Sequence, residues 1–189
     1  MSVPTSSPSP WLVVIDMQTA FADPTSEWAV PAYPEIVPVI SSLVDAFGER
    51  VVHTRFVPDE AEPGQWSRYY DRWSTMRQPA SSQLWDLTVP VPPGTPVVSR
   101  PTFSKWHPEL VRFLNTDAPL VMCGVATDCC VLATALAAAD DGRGVTVVAD
   151  ACGGATSRHH DQALSLLALL DPLVAVTTSE QLLGAAEEG

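Results

Sequence analysis

Residues 120–131 read LVMCGVATDCCV: an apolar run of strand type that halts at Gly124 and turns into a helix with Cys129 and Cys130 in its first turn. A thiol at that place faces unpaired backbone N–H groups and the positive end of the helix dipole, both of which favour a thiolate. The same N–H groups can hold a developing oxyanion. The spacing therefore suits a nucleophilic cysteine hydrolase, and it suits equally a buried apolar cysteine pair that closes a strand–helix junction.

A second chemical group lies at the end of another apolar run. Residues 11–15, WLVVI, have the pattern of a strand buried on both faces, and Asp16 follows directly. A carboxylate there can serve as a general base or cap the turn that follows. Arg55 with Phe56, and Arg100, fall at the ends of two further predicted strands. In a parallel sheet, ligands bind beyond the carboxyl ends of the strands, so these residues and the 124–130 turn point to one cleft.

The elements that must position them alternate. Strands are predicted at 11–15, 50–56, 96–99, 120–125, 144–149 and 173–176, with helices at about 36–47, 108–114, 128–140 and 158–170 and from Ser179 onward. The expected fold is α/β: a single-domain, three-layer, Rossmann-like arrangement, with an about six-stranded parallel sheet and helices on both faces. Residues 57–80, rich in proline, charge and aromatics, read as an insertion over the sheet edge with short helices around 66–73. The alanine-rich helix after Cys130 is a candidate packing face. Residues 1–10 read as a flexible arm, leaving 11–189 as the domain.

Composition narrows the function. The chain has 189 residues, 46% hydrophobic and 17% charged, which suits one domain with a substantial core. A formal charge of −12 argues against nucleic-acid binding. No apolar run approaches the roughly eighteen residues of a membrane span, and the start has no signal-peptide character. The four cysteines, 123, 129, 130 and 152, show neither metal spacing nor a disulfide framework, so reduced thiols in the cytoplasm are expected.

GVATDCCV, followed by TALAAADDGRGVTVVADAC, resembles the core signature of the isochorismatase-like cysteine hydrolases. WLVVIDMQ with Phe21, and Asp150-Ala151-Cys152, extend the resemblance over nearly the whole chain. It implies that Cys130, directly before the valine, is the nucleophile and that Asp16 exchanges its proton. The family's third residue is a lysine before a PxYS-like segment; VVSRPTFS puts Arg100 in that slot, with Lys105 five residues on as the alternative partner. Arginine can hold Asp16 ionised but cannot shuttle a proton. Lys105 reaches the cleft only if the loop folds back, and it otherwise reads as a surface charge. The resemblance also implies an oxyanion hole from the N–H groups of Ala126 and Cys130 and a cis Val125–Ala126 peptide. Thr127 reads as the N-cap of the following helix.

Nicotinamidases in this superfamily hold a metal through a DxHP-like segment after the second strand. Here that region reads His53-Thr54-Arg55-Phe56-Val57-Pro58, so Arg55 and Val57 replace the ligands and His53 becomes a hydrogen-bonded core histidine. No metal and no cofactor are expected. Phe21, Arg55, Trp66, Tyr70 and Trp106, with Tyr69 and Trp73, are candidates for substrate contact. The expected activity is thioester-mediated cleavage of a C–N bond in a small amide, ureide or lactam. Two alternatives stand beside it: a vinyl-ether hydrolase using Asp16 as acid, and a non-catalytic small-molecule binder on the same fold. Resemblance alone implies a homo-oligomer, dimer or tetramer.

Overall fold

A computed structural model describes residues 8–114 and 117–187. Residues 1–7 of the expected N-terminal arm lie outside the described residues. Six parallel strands form one sheet in the order β3-β2-β1-β4-β5-β6, where β1 is Trp11–Ile15, β2 Val51–Phe56, β3 Val97–Arg100, β4 Leu120–Val125, β5 Val145–Gly153 and β6 Val174–Thr177. The helices are α1 (Thr19–Ala22), α2 (Tyr33–Phe47), α3 (Trp66–Arg72), α4 (Pro108–Val111), α5 (Leu132–Asp140), α6 (Ser157–Ala168) and α7 (Ser179–Glu187). This is the expected α/β architecture. Every residue of β4 and all but the first of β1 is buried, as strands covered on both faces require.

The strand order runs outward in both directions from the neighbouring pair β1 and β4, the switch point where open α/β sheets bind ligands. Gly124 makes that junction close. It pairs with Ile15, and a Cβ on it would lie 2.1 Å from the Ile15 carbonyl oxygen. Its φ of +116° is also one that side chains disfavour. Asp16, next along β1, has φ +52°, an uncommon value for a non-glycine residue and typical of over-determined functional positions.

Several boundaries differ from the sequence reading. β5 runs on to Gly153, so Asp150-Ala151-Cys152 lies inside the strand, and its register against β4 shifts between Met122 and Gly124. The alanine face of α5 is spent within the chain: Ala135, Ala138 and Ala139 are buried, and Leu136 is the exposed apolar residue. The segment after β2 is more than a cover for the edge, because Tyr70, Met76 and Trp85 are fully buried. No helix among the described residues is long and apolar enough to cross a membrane.

His53 is fully buried on β2, but neither ring nitrogen has a hydrogen-bond partner among the described residues, contrary to the hydrogen-bonded histidine expected. Burial alone pushes its pKa down to about 4.

Gly124→Ala should destabilise the fold by about 3 kcal/mol or more, from a disfavoured φ and a clash with backbone that cannot yield; chemical denaturation measures it. His53 should add an acid-sensitive increment. The unfolded chain takes up this proton below about pH 6.5 and the folded chain only near pH 4, so stability falls across that window, by roughly 3 kcal/mol for this shift. Melting curves of His53→Val against the parent between pH 7 and pH 4 should show a shallower decline for the variant.

Candidate active site

At the C-terminal end of β1, Asp16 is fully buried and ion-paired with Lys105, Oδ2 to Nζ 2.9 Å, both side chains without solvent exposure. Its other oxygen, Oδ1, accepts from the Thr54 hydroxyl on β2 at 2.7 Å. Lys105 Nζ donates to the Thr102 carbonyl at 2.7 Å and lies 4.8 Å over the Phe56 ring. Among the described residues the ammonium's aligned bond goes to that carbonyl, and it meets Asp16 Oδ2 as a charge contact rather than an aligned hydrogen bond. Oδ2 is therefore the carboxylate oxygen with capacity to take a proton.

Local chemistry brings Lys105 inward. β3 ends at Arg100; Pro101 follows, the Thr102 hydroxyl donates to the Ser104 carbonyl at 2.9 Å, and Ser104 Oγ accepts from the Trp106 N–H. These serine and threonine bonds turn the chain back over the strand ends. The Lys105 N–H then donates to Thr134 Oγ1 at 2.9 Å, and that hydroxyl donates to the Cys130 carbonyl at 2.6 Å. One threonine on α5 thus joins the lysine loop to the cysteine turn. Arg100, ranked first for this place from sequence, turns away to pair with Glu109 at 3.4 Å. It ends β3 at the sheet edge, whereas the turn that follows carries Lys105 to Asp16.

Cys130 sits in a widened turn. The Ala126 carbonyl accepts from both the Cys129 and the Val131 N–H groups, the second bond spanning five residues, and α5 starts at Leu132. Such π-type turns concentrate at functional sites. The Val125–Ala126 peptide is cis, as the resemblance implied. Thr127 does not cap the helix: its hydroxyl bonds His160 Nδ1 at 2.8 Å, while Asp128 Oδ1 accepts from the Ala155 N–H. The thiol environment also differs from expectation. The hydrogen bond with the Cys129 thiol and burial raise the Cys130 pKa well above the ordinary range, and the Asp16 charge adds to this, with Lys105 opposing.

Cys130 is 3% exposed and opens on a cavity of about 330 Å³, whose floor includes Ala126, Cys129 and Phe56. Of the sequence candidates for substrate contact, Phe21, Tyr69 and Trp73 line it. Trp66 and Tyr70 instead line a neighbouring void of about 50 Å³, and Trp106 is on another face, its indole N–H bonded to Asp141. Arg55 directs its guanidinium to Ser99 Oγ at 3.1 Å, away from the cavity, because Thr54 and Phe56 occupy the side of β2 that faces Asp16. Trp28 and Phe103 complete the wall without having been singled out; Trp28 stacks on Phe21 at 5.9 Å and meets Phe56 edge-on at 5.4 Å. Gln18 of the DMQ sequence clamps the frame: its amide nitrogen donates to the carbonyls of Phe56 and Trp85, and its oxygen accepts from the Phe56 N–H.

The residues at the end of β2 do not fit a divalent cation, since Arg55 brings a guanidinium and Val57 an alkyl group where ligands would be needed. Among the described residues no group of three or more His, Cys, Asp and Glu side chains is arranged to hold one.

Comparison with known proteins accords with this geometry. Residues 10–181 match the Isochorismatase domain family. A secreted isochorismatase effector, Isc1, of Phytophthora sojae is 38% identical over 76 residues, which span 38% of this chain and 36% of that protein. The fold superposes on an isochorismatase family protein from Desulfovibrio vulgaris (TM-score 0.80, 21% identity, 95% of this chain and 98% of the other). It also superposes on N-carbamoylsarcosine amidase from Thermoplasma acidophilum (TM-score 0.72, 19% identity, 92% and 98%). With the family match running from the residue before β1 to the start of α7, the chain belongs to the isochorismatase family of hydrolases.

Proposed function

We propose that this hydrolase cleaves a C–N bond of a small amide, ureide or lactam through a thioester on Cys130. The observation that carries the reading is the buried ion pair of Asp16 Oδ2 with Lys105 Nζ at 2.9 Å, whose charges both act on Cys130 at the foot of the cavity. Asp16 Oδ2 takes the thiol proton as sulfur bonds to the substrate carbonyl carbon, and the carbonyl electron pair moves onto oxygen. The N–H groups of Ala126 and Cys130 receive that oxyanion. The lysine ammonium compensates the carboxylate charge. When the tetrahedral adduct collapses, the C–N bond breaks and Asp16 returns the proton to the departing nitrogen. Water then attacks the thioester, Asp16 takes one of its protons, and the sulfur leaves to recover that proton. One amide and one water yield one carboxylic acid and one amine. The fold likeness to N-carbamoylsarcosine amidase supports C–N chemistry on this scaffold.

The thiol's raised pKa favours one second reading, a vinyl-ether hydrolase in which Asp16 acts as acid and no thiolate is needed. With either reading we propose a cytoplasmic homo-oligomer, dimer or tetramer, that acts on a small-molecule substrate.

Ammonia release from a panel of small amides tests the first reading. Cys130→Ala should abolish it; the vinyl-ether route predicts instead no ammonia from any amide, and hydrolysis of a vinyl ether that Cys130→Ala retains. Lys105→Ala should lower kcat at least about a hundredfold, because Asp16 deprived of its counter-charge serves poorly as the base, and should also lower stability, since Asp16 is left buried without its counter-charge. Arg100→Ala should leave activity within about twofold, because a partly exposed ion pair such as Arg100–Glu109 contributes little. The reverse ranking would overturn the assignment of Lys105. Alkylation of Cys130 by iodoacetamide in the free enzyme should be slow at pH 7 and accelerate above pH 9, as the raised thiol requires.

A further inference from the structure

The cavity over Cys130 has a charge character that the chemistry of its floor does not demand. Its walls are the rings of Phe21, Trp28, Tyr69, Trp73 and Phe103. Its charged lining residues are Glu27 and Asp128, and no lysine, arginine or histidine is among the residues that line it. Each carboxylate is fixed through one oxygen. Glu27 Oε2 accepts from the Thr75 N–H and hydroxyl, and Asp128 Oδ1 accepts from the Ala155 N–H. Their second oxygens carry no hydrogen bond from the protein among the described residues and remain as acceptors for a ligand.

The cations nearby do not neutralise this lining. Lys105 is committed to Asp16 and the Thr102 carbonyl beneath Phe56. Arg72 stands on α3 with its guanidinium 5.0 Å from the Trp73 ring, and it is not among the lining residues. Arg55 is held at Ser99. Electron-rich ring faces and two carboxylates attract a cation and repel an anion, and the chain's net charge of −12 adds to the same field.

We propose that this cavity selects a compact amide with a flat apolar body and a positively charged nitrogen, and rejects amides that carry a carboxylate. The selection deepens the hydrolase reading, on which it rests for the amide. The rings take the flat body, Glu27 and Asp128 take the ammonium at the rim, and the carbonyl is left to face Cys130 and Ala126.

Three para-substituted probes of similar size separate the charge states: 4-(aminomethyl)benzamide as cation, 4-ethylbenzamide as neutral, and 4-carbamoylbenzoate as anion. Calorimetric binding to the full chain carrying Cys130→Ala should follow the order cation, neutral, anion, with about tenfold or more between the extremes at low salt and a smaller gap at high salt. Glu27→Gln in the same background should narrow that gap. Equal affinity, a reversed order, or no binding of any of the three would overturn the proposal. Ammonia release by the unaltered enzyme separates the two claims. Charge-ordered binding without release from any probe removes the hydrolase reading and leaves the selection standing. Release that ignores the probe's charge, together with unordered binding, removes the selection and leaves the hydrolase.

Discussion

A carboxylate and an ammonium held 2.9 Å apart with no exposure to water are the constraint around which this molecule is organised. Removing two charges from solvent costs several kcal/mol each, and the pair persists only if its remaining hydrogen-bonding capacity is met. The Thr54 hydroxyl, the Thr102 carbonyl and the face of Phe56 meet part of it. These partners come from β2 and from the loop after β3, so the pair draws three neighbouring strand ends together. Gly124 lets β4 approach the end of β1, and Gln18 binds β1 to β2 and to the segment before Leu87. The capacity that remains unmet, at Asp16 Oδ2, is the one a thiol proton can use.

The raised thiol and the ion pair belong together. A thiolate resting beside Asp16 would place two anions around one ammonium in a buried space. A raised thiol pKa avoids that. The dipole argument applied to a thiol in the first helical turn overlooked this. The Cys129 thiol, burial and the Asp16 carboxylate outweigh the Lys105 charge.

Local patterns in the chain revealed the elements, because strands buried on both faces are written as continuous apolar runs and amphipathic helices as 3.6-residue stripes. Asp16 was legible because it follows directly on such a run, whereas Cys130, five residues past the end of β4, was singled out by the resemblance. Lys105 stood only as the alternative, since counting along β3 favours Arg100 and the serine and threonine turn at 102–104, with Thr134 four residues after Cys130, reverses the direction. The aromatic wall was read in part. Along α3 and its C-cap, the pair 66 and 70 and the pair 69 and 73 lie on adjacent edges of one stripe; the second pair lines the cavity, where Tyr69 meets Trp28, and spacing alone does not distinguish the two. Trp28 itself stands in a loop without period, where sequence has no face to assign.

The proposed chemistry acylates Cys130 beside the Asp16–Lys105 pair. Mass spectrometry of peptides from a reaction with a small amide substrate, quenched in acid before steady state is exhausted, tests this step. An acyl adduct on Cys130 should form and then disappear as substrate is consumed. Turnover with Cys130 unmodified throughout, or an adduct carried by Cys129 instead, would contradict it.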